Sequence, residues 1–284
     1  MTRRAREVSV GTLELSDGSV IWYERRGSGP TILHIHGSGF GYRNFAMLTP
    51  HLVGSFDVID LDLPGYGESV ANGPLGVAEW AGQLAEFIER LAGGPVHVHG
   101  TSMGALVATT LAARHPEVVK DLILSCCLFR YDNAARHMRH TWKRGALDSG
   151  MVQAADQTAA AGFSRAFYDR PDAAEILDRL RTGMGSNDPA SFVAGTESLE
   201  AMDLSDLLPR LPRTLLLGGD EDQMTPPVPA ASGVGFDTAV KAIPDAELHI
   251  LESCGHYLVL ERPERAAEII ERFVRHPQRP AHLS

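Results

Sequence analysis

The chain has 284 residues, 44% hydrophobic and 22% charged, with a formal net charge of −10. That length allows one sizeable domain, or a domain carrying an insertion, and the composition excludes a disordered or fibrous chain. The acidic balance argues against nucleic acid as a partner, and no apolar run approaches the roughly 20 residues of a membrane span.

The start, MTRRAREVSV, is basic and lacks the continuous apolar stretch of a secretory signal, and three cysteines make no disulfide framework, so a cytoplasmic protein is expected. EVSVGTLEL, the turn Ser16-Asp17-Gly18 and SVIWYERRG alternate as a β-hairpin. After Gly29-Pro30 the apolar runs become continuous: TILHIHG (31–37), DVIDLDLPG (57–65), PVHVHG (95–100), KDLILSC (120–126), RTLLLGG (213–219) and AELHILES (246–253). Strands buried on both faces have this pattern. Helical periodicity at 76–92, 102–115 and 262–275 alternates with them, which predicts an α/β fold with a mainly parallel central sheet flanked by helices. The interval 128–211 is rich in Ala, Arg and Asp and holds no convincing strand. It reads as a helical cap inserted into a core domain of residues 1–127 and 212–284, at the strands' carboxyl ends, where open α/β sheets bind ligands. A basic cluster inside it, Arg136, Arg139, Lys143 and Arg144, reads as a solvated helix face.

The segment Gly100-Thr101-Ser102-Met103-Gly104 stands where a strand should end and a helix begin. Ser102 could be a simple N-cap, or a nucleophile held on a sharp turn with the next backbone N–H aimed at the site. A serine nucleophile needs a base, normally an imidazole oriented by a carboxylate. His256 follows the last predicted strand, and Asp220, Glu221 and Asp222 follow the one before it, so both loops lie on the same edge of the sheet as Ser102.

These segments resemble the α/β-hydrolase superfamily over nearly the full chain. The order Ser102, Asp222, His256 matches that family's nucleophile, acid and base. Gly219 to Pro226 is similar to its acid loop and favours Asp222 over Asp220, and Gly255-His256 with Glu261-Arg262-Pro263-Glu264 resembles its base loop. His36-Gly37-Ser38-Gly39 resembles the oxyanion loop after strand three, and Asp62 to Ser69 the turn after strand four.

The resemblance implies a serine hydrolase acting through an acyl-enzyme on a small carboxylic ester or lactone. The backbone N–H groups of Ser38 and Met103 would form the oxyanion hole, with Gly39 as the substitute for Ser38. Phe40, Arg43 and Trp142 are the expected substrate contacts, and Phe163, Phe167 and Tyr168 further apolar candidates. Similarity to enol-lactonases and to hydrolases of ring-fission diketones keeps C–C bond hydrolysis as an alternative, beside a lyase or a non-catalytic binder on the same fold. No cofactor and no metal is expected. The pairs His34/His36 and His97/His99 lack a carboxylate or thiol at companion spacing, and Cys126-Cys127 reads as buried packing. The expected partner is a small-molecule substrate, with neither nucleic acid nor membrane.

Overall fold

A computed structural model describes residues 8–276. Eight strands form one sheet in the order β1-β2-β4-β3-β5-β6-β7-β8. The hairpin is β1 (Ser9–Glu14) and β2 (Val20–Gly27), antiparallel to each other, and β2 also runs antiparallel to β4 (Asp57–Leu61). The remaining pairings are parallel and join β4, β3 (Thr31–Ile35), β5 (Val96–Thr101), β6 (Val119–Ser125), β7 (Thr214–Gly219) and β8 (Ala246–Leu251). Every residue of β4, β5 and β7 is buried, as their unbroken apolar runs require. β8 has the same kind of sequence but is mostly half-buried, because it is an edge strand with a neighbour on one side only.

Short α1 (Thr49–Leu52) follows β3. α2 (Val77–Ala92) buries Val77, Trp80, Ala81, Leu84 and Ile88, a stripe of helical period, and stops at left-handed Gly93. α3 (Met103–Arg114) is buried from Met103 to Ala112 and lies between the sheet and α2. After β6 come α4 (Asn133–Ser149), α5 (Met151–Gly162), α6 (Ala173–Gly185) and α7 (Pro189–Glu200), with α4 packed on α5 and α7 and α5 on α6. No strand occurs among these residues. Arg130 bridges to Asp203 and to Val234, drawing together the points where the helical segment leaves and rejoins the sheet.

α8 (Phe236–Ala242), not anticipated from the sequence, is a seven-residue helix too short to display a clear period. Then come α9 (Leu258–Glu261) and α10 (Pro263–Arg275), the latter with Pro at its first position, where the missing N–H costs nothing. One apolar cluster packs α2, α3 and α8 on one face of the sheet, and a second packs α10 on the other and continues into the helical segment. No helix among the described residues is long and apolar enough to cross a membrane. The basic residues 1–7 lie outside the described ones.

Parallel order reverses between β3 and β5: β3 leads to β4 on one side, and β5 leads to β6 on the other. Loops leaving the carboxyl ends of such a pair diverge and open a crevice between them. Gly37 and Ser38 follow β3, and Ser102 follows β5.

Candidate active site

Ser102 occupies the turn between β5 and α3 with φ 54° and ψ −118°, a region L side chains seldom adopt. It stands at the N-cap position of α3, yet its side chain makes no capping hydrogen bond. The glycines of the motif allow the turn to be this tight. A Cβ on Gly100 would stand 2.2 Å from the carbonyl oxygen of Gly104, and one on Gly104 would stand 2.0 Å from that of Ile35 in β3. Both positions are therefore closed to any side chain. The Ser102 amide donates to the carbonyl of Ser125 at 2.9 Å, which fixes the turn to the end of β6.

Asp222 and His256 come from the loops after β7 and β8. His256 Nδ1 lies 2.9 Å from Asp222 Oδ2, with both side chains buried. Thr225 donates its hydroxyl to the same oxygen at 2.8 Å and stands 2.9 Å from His256 Nδ1. The backbone amides of Met224 and Thr225 donate to Asp222 Oδ1 at 2.9 and 2.8 Å. Burial pushes the Asp222 carboxyl up, but the His256 ring and the hydrogen bonds from His256 and Thr225 outweigh it and hold the carboxyl below its ordinary value. The ionised carboxylate thus faces Nδ1 and leaves Nε2 for the cavity. His256 and Ser102 line that same cavity. Among the described residues no hydrogen bond joins their side chains.

Two buried carboxylates besides Asp222 hold the loops. Glu261 accepts the backbone N–H of Gly255 at 3.1 Å and that of Ser164, on the helical segment, at 3.2 Å. Asp62 accepts the N–H of Tyr42 at 2.7 Å and that of Glu68 at 2.9 Å, so the loops after β3 and β4 share one anchor. His36 Nε2 accepts the Leu63 N–H at 3.0 Å while Nδ1 donates to the Gly37 carbonyl at 2.9 Å. Asn44 Oδ1 accepts the Gly37 N–H at 2.8 Å. Motif reading could not assign Thr225 or Asn44, because each acts through a side-chain to backbone or side-chain contact made only in the fold. The N–H groups of Ser38 and Met103 make no hydrogen bond among the described residues, and Ser38 lines the cavity. A Cβ added to Gly39, whose φ is 77°, would meet Met184 and Phe192 of the helical segment.

The cavity has a volume of about 30 Å³. Phe40 and Trp142 line it, and Phe40 meets Tyr257 edge-on at 5.7 Å. Arg43 does not. Its short helical turn, Tyr42–Phe45, buries Asn44 and Phe45 and leaves Arg43 exposed over the Tyr42 ring, beside a separate cavity of about 640 Å³ that shares Phe40. Arg43 is therefore not among the residues that line the Ser102 cavity. Phe163 and Phe167 stack at 3.8 Å and pack the helical segment, with Tyr168 at their edge.

The basic cluster is corrected. Arg144 is exposed and Lys143 is held by Glu200 at 2.7 Å, but Arg139 is 3% exposed and lines the cavity. Arg139 shares a helical stripe with Ala135, Trp142 and Ala146, a spacing that points it inward.

The histidine pairs are absorbed in the core. His34 meets Asp60 at 2.7 Å, His97 meets Asp121 at 2.9 Å and His99 meets Ser125 at 2.8 Å. One convergent donor set was not foreseen: Cys126, Asp222 and His256 present ligand atoms within 4.8 Å of one another. Its chemistry suits a metal poorly. Asp222 and His256 engage each other, and burial, with Asp222 behind it, pushes the Cys126 thiol well above its ordinary value and away from the thiolate a metal takes.

Residues 32–269 match the alpha/beta hydrolase family. The chain belongs to that family. A pimeloyl-[acyl-carrier protein] methyl ester esterase of Aromatoleum aromaticum is 32% identical to this hydrolase over 87% of its chain and 98% of the relative's. A 2-hydroxymuconate semialdehyde hydrolase of Pseudomonas putida is 26% identical over 88% of each chain. Among solved structures, a thermophilic esterase from Thermogutta terrifontis superposes with a TM-score of 0.82 at 25% identity, over 95% of this hydrolase and 98% of that chain.

Proposed function

We propose that this hydrolase cleaves a carboxylic ester or lactone of a small acyl group through a covalent acyl-enzyme on Ser102. The observation that carries the reading is the strained Ser102 turn opening on the same cavity as a His256 whose far nitrogen is held by Asp222. Ser102 Oγ attacks the carbonyl carbon as its proton passes to His256 Nε2. Asp222 keeps the proton on Nδ1 and balances the imidazolium. The oxyanion is received by the N–H groups of Met103 and Ser38, each worth about 3 kcal/mol by the magnitude known for one such donor. The carbon–oxygen bond to the leaving group breaks as His256 returns the proton to the departing alcohol. Water, deprotonated by His256, then attacks the acyl-enzyme and releases the carboxylic acid and Ser102. Residues 128–211 act as a cap over the core of residues 1–127 and 212–284.

The methyl ester esterase relative favours ester hydrolysis; the semialdehyde hydrolase relative supports C–C cleavage as the second reading. The test is intact-mass spectrometry after brief exposure to a fluorophosphonate, with peptide mapping. The expected result is one adduct, on Ser102. A folded protein with no adduct would overturn the acyl-enzyme. Turnover of short methyl esters and lactones against ring-fission diketones then separates the two reactions.

A further inference from the structure

We propose that Arg139 and Thr196 form a carboxylate subsite in the roof of the catalytic cavity, so that the acyl part of the substrate carries a negative charge. The inference rests on the hydrolase reading above and names its substrate class.

A buried guanidinium is costly unless it is paired. Arg139 has no carboxylate at ion-pair distance among the described residues, although Lys143, one turn on, has two. Its contacts among the described residues include one long hydrogen bond, 3.5 Å, to the Ala135 carbonyl of its own helix, a hydrogen bond with the Tyr131 side chain, and two rings, Tyr131 at 3.6 Å and Trp142 at 5.7 Å from the guanidinium carbon. The Tyr131 ring covers the guanidinium carbon, and none of these contacts supplies the negative charge that the planar N–H donors are suited to meet. Thr196 supplies an independent sign of a missing partner. Its residue is 2% exposed, its hydroxyl has no hydrogen-bond partner, and like Arg139 it lines the cavity that holds Ser102 and His256.

Arg139 lies on α4 and Thr196 on α7, two helices packed on each other, so both donors descend from the same roof. A carboxylate satisfies both groups: it accepts two in-plane bonds from the guanidinium and one from the hydroxyl. A phosphate dianion would bring a second charge, and among the described residues no second Arg or Lys lines the cavity to meet it. The charge is assigned to the acyl part because that part stays bonded to Ser102, in the cavity that Arg139 and Thr196 line, until the second half-reaction, whereas the alcohol leaves after the first.

The test compares kcat/KM for monomethyl succinate and monomethyl glutarate with that for methyl butyrate and methyl pentanoate. Wild type should prefer the half-esters. Arg139→Met should lower kcat/KM for half-esters by roughly 10²–10³-fold while changing the neutral esters only a few-fold, removing the preference. Arg139→Lys should keep part of it, and Thr196→Val should reduce it about tenfold or less. Equal loss on both ester classes, or a wild-type preference for neutral esters, would overturn the subsite and leave Arg139 a stacking residue. Calorimetric titration of Ser102→Ala with glutarate separates this from a failure of the hydrolase reading. Saturable binding lost in Ser102→Ala/Arg139→Met upholds the subsite even if no ester turns over, and absence of binding overturns it even if neutral esters do.

Discussion

Asp222 Oδ2 and His256 Nδ1 lie 2.9 Å apart across 34 residues of sequence, joined by two adjacent parallel strands, β7 and β8, that end at the same level. Asp220, two residues away on the exposed side of the loop, instead accepts the backbone N–H of Cys254 at 3.2 Å. Under the proposed mechanism Asp222→Asn should lower kcat by about 10³–10⁴-fold, because the amide no longer holds the working tautomer. Asp220→Asn should stay within a few-fold of wild type. Steady-state kinetics on one ester checks both, and the reverse ranking would reassign the acid.

Ser102→Ala and His256→Ala should each remove nearly all turnover, and the double variant should be hardly slower than either, since nucleophile and base act as a unit. Single-turnover rates of the three variants decide this. Independent, multiplying losses would mean that the two residues serve separate steps.

The Asp222 carboxyl is held below its ordinary value of 3.8 in the fold, so the folded state binds this proton less readily than the unfolded chain does. Its contribution to stability is therefore complete above an unfolded value of about 3.9 and is lost as pH falls through the lower folded value. Thermal denaturation should show wild type losing stability relative to Asp222→Asn in that acidic window. A gap that widened on acidification would contradict the sign.

Gly104→Ala puts a methyl group 2.0 Å from the Ile35 carbonyl oxygen, where the backbone of both α3 and β3 would have to move. The expected cost is about 3 kcal/mol or more, seen as a lowered midpoint in urea, with loss of fluorophosphonate labelling at Ser102. Ala at Gly82, on the exposed face of α2, where an added Cβ meets nothing within 4 Å, should be neutral or stabilising.

Much of the fold was legible because its signals are local. Continuous apolar runs marked β3 to β7, helical period marked α2, α3 and α10, and the absence of strand pattern marked the helical segment. β8 was recognised as a strand but not as an edge, since edge position is a property of the neighbours a strand acquires. Ser102 announced itself through the glycines around it. Asp222 was separated from Asp220 by motif resemblance, and the physical difference between them, burial and a partner ring, exists only after β7 and β8 are paired.

The sequence by itself determined the alternation of strands and helices, the turn at Ser102 and the order of the three residues proposed to react, because periodicity and turn chemistry act over a few residues. Tertiary structure alone decided which charged side chains face the cavity. Arg43, beside the oxyanion loop in sequence, is turned outward by a single tight turn that buries Asn44 and Phe45. Arg139, which read as part of a solvated basic cluster, is enclosed when α4 packs on α7 over Ser102. Burial of a charge depends on surfaces brought together from distant parts of the chain, and no local pattern carries that information.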